Sequence, residues 1–255
     1  MRKIILSGCN GHMGRAVAGL CALDPELEVA AGIDVLGQPG DGFPVFSSPA
    51  ACTPQADVLV DFSHPSALEG LLAFCLDRSL PAVLATTGYS QEHLEQIHQA
   101  AQRIPIFRSA NFSLGINLLL DLVQRAAAVL GGEYDVEIVE RHHRRKVDAP
   151  SGTALMLADA AAGALPYEPE YIYDRHDVRR PRQPQEIGIS CVRGGTIAGD
   201  HTVVFAGLDE VVEISHHAAS RDVFAAGAVR AAKFLAQMDR PGLYDMSHLL
   251  GSSPS

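Results

Sequence analysis

The sequence predicts an α/β fold, a Rossmann-type doubly wound parallel sheet joined to a second α+β unit. Three observations predict it. Short apolar runs alternate with helical patterns from the start of the chain to about residue 110. A glycine-rich turn, Gly8-Cys9-Asn10-Gly11-His12-Met13-Gly14, directly follows the first apolar run and opens the first helical pattern. After about residue 112 the rhythm changes to a helix, a strand, a helix and a late group of strands.

Each element of the first part has its own signal. "KIILS" (3–7) is a short buried strand, and the helix after it repeats apolar residues at Val17, Leu20 and Leu23. "LEVAAGID" (27–34), "ADVLVDFS" (56–63), "PAVLATTG" (81–88) and "IPIFRSA" (104–110) are four further strands. The helix over 64–79 has Pro65 at its start, and the helix over 90–103 has Ser90 as N-cap. In the second part a helix covers 114–130. In "YDVEIVERHH", Val136 and Ile138 alternate with Asp135 and Glu137, as in a half-exposed strand, until Val139 breaks the alternation on the acidic side. A helix runs from about Thr153 to Ala162. Residues 165–186, rich in Pro, Arg, Asp and Tyr, form a loop. "IGISCVRGG", "HTVVFAG" and "DEVVEISHHA" form three strands in a meander, a helix over 220–238 closes the fold, and 251–255 is a frayed tail.

Composition narrows the function. The chain has 255 residues, 47% hydrophobic and 20% charged, as expected of a globular protein with a substantial core. Lys and Arg total 20 against 30 Asp and Glu, 20 − 30 = −10, which argues against nucleic acid and against an anionic membrane surface as partners. No stretch approaches the ~18 apolar residues of a spanning helix, and the three-residue apolar run near the N-terminus is too short for a signal peptide. Five scattered cysteines without a Cys-x-x-Cys pair are expected to be reduced thiols in the cytoplasm. No metal-ligand spacing is present, and adjacent His142 and His143 make a poor metal pair.

The glycine run sits where a backbone can approach a pyrophosphate, with helix N–H groups aimed at it. Asp34, at the end of the second strand, lies 20 residues beyond Gly14, where an acid would hydrogen-bond the ribose of a dinucleotide. Position 35 is Val rather than Arg, so no cation follows the acid to hold a 2′-phosphate, and the expected cofactor is NADH or NADPH with a lean to NADH. A glycine turn serving only strand–helix packing is the bland alternative.

Six consecutive basic residues, Arg141 to Lys146, stand out in an acidic chain. A charge run is more often a solvated face. Here, however, it precedes Ser151-Gly152-Thr153, a helix start whose amides and hydroxyls suit an anion. Cations facing such a start suit a small carboxylate ligand, and a His with a Lys can supply a proton to a reduced intermediate.

These motifs together resemble the dihydrodipicolinate reductase family over almost the whole chain. "GCNGHMGR", "VDFSHPSA", "ATTGY" and "SANFSLGIN" are similar to its cofactor-side loops. "ERHHRRKVDAPSGTAL" is similar to its diagnostic motif. "RGGTIAGDHTVVFAG", "EISHHAASRDVFAAGAVRAAKFL" and "PGLYDMSHLLG" follow in order. The resemblance implies a Rossmann-type domain of 1–112 plus 221–255 and a substrate-binding, tetramer-forming domain of 113–220. It implies a homotetramer, a cyclic dicarboxylate substrate and loss of its 4-hydroxyl as water before hydride transfer. It implies that residues 8–13 (Gly8, Cys9, Asn10, Gly11, His12, Met13) cradle the pyrophosphate and Asp34 takes the ribose. Ala85, Thr86 and Thr87, with Ser109, Ala110, Asn111 and Phe112, would border the nicotinamide. His142 and Lys146 match the catalytic pair, and His143, Ser151, Gly152 and Thr153 match substrate-binding positions. His12 stands where the family usually has Arg, and Ser109 where Ala or Pro is common. The rival readings are a different nicotinamide oxidoreductase, a paralogue acting on other enamines or a quinone, and a non-catalytic dinucleotide sensor, which would need no His142/Lys146 pair.

Overall fold

The computed structural model describes residues 1–37 and 42–251. The chain divides into two compact units, Met1–Ser113 with Asp222–Ser255, and Leu114–Arg221.

The first unit opens with β1 (Arg2–Ser7), α1 (His12–Leu23), β2 (Leu27–Ile33) and a two-residue β3 (Val45–Phe46). β4 (Val58–Asp61), α2 (Leu68–Asp77), β5 (Ala82–Leu84), α3 (Gln91–Ala101) and β6 (Pro105–Arg108) follow. Pro65 starts a 3-10 turn rather than the helix itself, and Ser90 caps α3 through a bond from the His93 amide. The sheet order is β3-β2-β1-β4-β5-β6, every neighbouring pair parallel. Helical crossovers cover both faces of such a sheet, so its strands must be apolar on both sides. Ile4, Ile5 and Leu6 in β1 and Leu59 and Val60 in β4 are all fully buried. The order reverses between β1 and β4, and ligands of open α/β sheets bind beyond the strand ends at that reversal.

The second unit contains α4 (Leu114–Leu130), β7 (Asp135–His142), α5 (Gly152–Ala162), β8 (Glu170–Ile172), β9 (Glu186–Arg193), β10 (Gly199–Ala206) and β11 (Val211–Ala218). Ile116, Leu119, Val123 and Ala127 form the buried stripe of α4, and Ala154, Leu157, Ala158 and Ala161 that of α5. Both stripes pack on Val136, Ile138, Ile187, Ile189, Val203 and Phe205 of the sheet.

Two expectations are corrected here. The three late strands are not a meander. The order is β11-β10-β7-β9-β8, with β7 between β9 and β10. β9 is parallel to β7, and β10 antiparallel to it. The β9–β10 connection therefore passes the C-terminal end of β7, bonding to its backbone (His143 N to Ile197 O 2.8 Å, Gly194 N to His142 O 2.9 Å). Apolar periodicity shows where strands are but not which edge they join. The expected loop over 165–186 contains β8, which its polar composition hid.

After the second unit the chain returns to the first through α6 (Asp222–Leu235), β12 (Gly242–Tyr244), which pairs parallel with β6, and α7 (Met246–Leu250). The closing helix is thus shorter than 220–238. The frayed tail expected at 251–255 lies, except for Gly251, outside the described residues.

Candidate active site and cofactor cradle

In the first unit, the turn after β1 is built for close approach. Gly8 has φ +73°, and a Cβ there would sit 2.6 Å from the Phe62 carbonyl oxygen. A Cβ on Gly14 would lie 2.2 Å from the Gly8 carbonyl oxygen. Side chains at these two positions would break the turn. Gly11 is the N-cap of α1 and has no side chain to satisfy the first-turn amides, which suits a phosphate there. Asp34 follows β2. Its carboxylate accepts the Asn10 amide at 3.1 Å and the Leu36 amide at 3.1 Å, which fixes it beside the glycine turn. It lines a cavity of about 550 Å³ with Gly8, Gly11, Val35 and Ser63.

A second cavity, of about 370 Å³, is lined by Met13, Ser63, Ala85, Thr86, Phe112 and Phe224, and also by Thr87, Ser109, Ala110 and Asn111. The structure therefore gathers Met13 and all seven of the residues expected at the nicotinamide around one cavity. Two expected residues stand apart. The Cys9 thiol is buried against Gly32, and burial, then the charge of Asp34, pushes it up to about 11. Cys9 can offer a ligand only its backbone. His12 is exposed in a shallow depression with Asn10 and Arg15. Cradle and cavities together fit an extended dinucleotide.

In the second unit, the basic run separates by exposure. Arg141, Arg144 and Arg145 are exposed, while His142 is buried. The inward face of β7 is Val136, Ile138, Glu140 and His142, so two ionisable residues continue an apolar stripe. Glu140 is fully buried. Its Oε2 meets His142 Nδ1 at 2.7 Å and Arg193 Nη1 at 2.7 Å. Its Oε1 accepts from Arg193 Nη2 at 2.6 Å and from the Ser151 amide at 3.1 Å. Burial opposes its charge, but the bonds from Arg193 and His142 prevail and hold the carboxyl at about 2. A carboxylate on Nδ1 selects the tautomer that presents Nε2.

Ser151 is buried. Its hydroxyl accepts the Ala154 amide at 3.1 Å, capping α5, and meets His201 Nε2 at 3.0 Å. Gly152 is exposed and Thr153 half-exposed. Of the expected Ser-Gly-Thr anion site, Ser151 thus supplies the cap, and Gly152 and Thr153 are its more exposed members. His143 Nε2 lies 2.9 Å from Arg221, and burial, then Arg221, keeps the ring below its ordinary value. Lys146 pairs with Asp148 at 2.9 Å and follows a turn closed on the His143 carbonyl.

Glu140, Arg193 and His201 were not singled out from the sequence. The i, i+2 spacing from Val136 to His142 carried the signal for Glu140. Arg193 and His201 sit opposite His142 and Glu140 only through strand register. Three arginines of the 173–183 segment lie elsewhere. Arg175, Arg180 and Arg182 bond Glu137, Glu186 and Asp135. Glu137 is five residues from His142 along β7, roughly 17 Å at strand rise.

These groups set an acid response. Glu140 drops from its ordinary 4.5 to about 2, so its contribution of about 3 kcal/mol is present above 4.5 and lost as pH falls through 2. His201 is pushed down from 6.5 to about 4 by burial and then His142. Between those values the unfolded chain takes up a proton that the folded chain refuses, so stability also falls by about 3 kcal/mol from pH 6.5 to pH 4. Urea melts across pH 8 to 4 are expected to record this fall, and His201→Gln to flatten it. A wild-type curve flat between 6.5 and 4 would refute the assignment to His201.

Among the described residues no group of three or more His, Cys, Asp or Glu could hold a metal ion, and no helix is long and apolar enough to cross a membrane. Residues 2–112 match the family described as dihydrodipicolinate reductase, N-terminus, and residues 115–250 the one described as its C-terminus. A 4-hydroxy-tetrahydrodipicolinate reductase of Caldanaerobacter subterraneus subsp. tengcongensis is 52% identical over 250 residues, covering 98% of each chain. The protein of the same name from Clostridium tetani is 45% identical over 254 residues, covering 99% of this chain and 98% of that one. A solved dihydrodipicolinate reductase from Paenisporosarcina sp. TG-14, with dipicolinate bound, shares the fold at TM-score 0.81 and 23% identity, covering 98% of this chain and 99% of that one.

Proposed function

The chain belongs to the dihydrodipicolinate reductase family, and on that premise we propose which of its residues carry the reaction. It is a nicotinamide-dependent oxidoreductase that reduces 4-hydroxy-tetrahydrodipicolinate to tetrahydrodipicolinate, a step of diaminopimelate and lysine biosynthesis.

The observation that carries the assignment is the buried Glu140–His142 pair tied to the α5 start. A bound reduced nicotinamide supplies the hydride. The ring that accepts it gains negative charge, which a proton from the protein quenches. Lys146 delivers that proton. His142, held by Glu140, shapes the field around the same point or relays the proton. His143 and the amides of Gly152 and Thr153 grip the substrate carboxylates, with Ser151 holding the helix start in place.

On the cofactor side, residues 8–13 hold the pyrophosphate, Asp34 the ribose, and the cavity lined by Ala85, Thr86, Thr87 and 109–112 the nicotinamide. NADH is preferred. A carboxylate at position 34 repels a 2′-phosphate, and exposed Val35 offers it no cation. Asp34→Ala is expected to weaken NADH about tenfold or more, and NADPH much less, in fluorescence titrations. Equal weakening would mean that Asp34 does not touch the ribose. The enzyme acts in the cytoplasm as a homotetramer. Helices pack on one face of the second sheet, and the other carries Val139, Val192, Val204 and Val211, a surface suited to another copy.

The deciding assay offers freshly made product of dihydrodipicolinate synthase with NADH and NADPH in parallel. Oxidation of the cofactor, inhibited by pyridine-2,6-dicarboxylate in competition with substrate, is expected. No turnover with either cofactor would refute the proposal.

A further inference from the structure

The carboxylate at the end of β4 has no part in the roles assigned above. Asp61 is 1% exposed and is surrounded by donors. Oδ1 accepts the Ser63 amide at 3.1 Å and the Ser63 hydroxyl at 2.5 Å. Oδ2 accepts the Thr86 hydroxyl at 2.7 Å, and the Tyr89 hydroxyl lies 3.4 Å away. A carboxylate only accepts, and the two Ser63 donors and the Thr86 hydroxyl hold it closely, while the Tyr89 hydroxyl is shared with Thr86. Burial, and then the charge of Asp61, pushes the Tyr89 phenol above its usual range, which keeps it a donor.

The consequence falls on the two hydroxyls. A Ser or Thr hydroxyl has one proton and two lone pairs. With their protons given to Asp61, Ser63 and Thr86 can offer anything else only acceptor capacity. Both line the 370 Å³ cavity. Ser109, on the same wall, gives its proton to the Asn111 carbonyl at 2.8 Å. Three hydroxyls of this cavity are thus polarised toward accepting, two of them by one buried carboxylate. A nicotinamide carries a carboxamide with two N–H donors. The corresponding acid has a carboxylate, which only accepts and bears a negative charge.

We propose that Asp61 determines specificity for the carboxamide by fixing the Ser63 and Thr86 hydroxyls as acceptors for its N–H groups. The proposal rests on the placement of the nicotinamide in this cavity. Dissociation constants for NADH and for reduced nicotinic acid adenine dinucleotide, the same molecule with a carboxylate for the amide, test it by calorimetry without turnover. The wild type is expected to bind NADH at least ~100-fold more tightly, because the acid leaves the acceptors unpaired. Asp61→Asn frees a hydroxyl proton for the cavity and is expected to reduce that ratio about tenfold. Thr86→Val removes one acceptor and is expected to weaken NADH about tenfold while leaving the acid analogue unchanged. If D61N does not fold, T86V alone decides.

Equal wild-type affinities, or a ratio that the folded variants do not move, overturns the proposal. Ala85→Leu fills the cavity without touching the Asp61 bonds and separates the two failures. It is expected to weaken both dinucleotides alike. NADH binding that it leaves intact removes the ring from the cavity, and the underlying placement falls together with the proposal.

Discussion

Lys146→Ala is expected to lower kcat by roughly 10²–10⁴-fold, the usual contribution of a positioned proton donor, with NADH affinity nearly unchanged. The cofactor cradle belongs to the other unit, and the Lys146 ammonium meets Asp148 at 2.9 Å. That pair is partly exposed, so losing it costs at most about 1 kcal/mol of stability, and the variant should remain folded. Lys146→Arg sharpens the test. A guanidinium keeps the charge but does not surrender a proton at working pH. Arg at 146 should therefore preserve substrate binding and still fail to turn over. Near-normal turnover of either variant would refute proton delivery by Lys146.

The second large effect is expected at Glu140. Glu140→Gln replaces an accept-only carboxylate by an amide whose NH₂ must face His142, Arg193 or the Ser151 amide, all donors to Glu140. The partly exposed Arg193 guanidinium loses its counter-charge, and the buried amide is left facing donors it cannot all accept, which costs about 1–3 kcal/mol. Turnover should fall about 100-fold, because the same change releases His142 and loosens the start of α5. Since the defect lies in positioning, kcat should fall far more than the KM for NADH rises. Glu140→Asp, which keeps the charge on a shorter arm, should recover part of the rate. A Gln variant with normal kcat would show that His142 needs no carboxylate behind it.

Much of the first unit was legible in the sequence because its physics is local. β1, β2, β4, β5 and β6 are apolar runs bounded by turn residues, and Gly8, Gly14 and Asp34 lie at spacings that the strand–turn–helix geometry imposes. β3 and β12 were not legible, since two or three residues carry too little pattern. In the second unit every strand except β8 was visible, but the neighbours of β7 were not, because strand order depends on the crossover path. The same limit hid part of the site. His142 and Lys146 stood within one motif, whereas Arg193 meets Glu140 only when β9 lies parallel to β7 in the observed register. Asp61 did leave a trace, as a lone acid ending a strand otherwise apolar throughout.

The return of the chain to the first sheet has a consequence for biosynthesis. α6 packs against α1, β4, β5 and β6, and β12 extends the same sheet beyond β6. A nascent chain that has emerged as far as Ser113 holds six of the seven strands but lacks the helix that covers them. Residues 114–221 must be translated before α6 appears, roughly 5–20 s at common elongation rates. During that interval an apolar sheet face stands open on the ribosome, while the second unit, continuous in sequence, can complete itself first. Vectorial synthesis therefore favours finishing the substrate-side unit before the dinucleotide-side one, although the latter starts earlier in the chain.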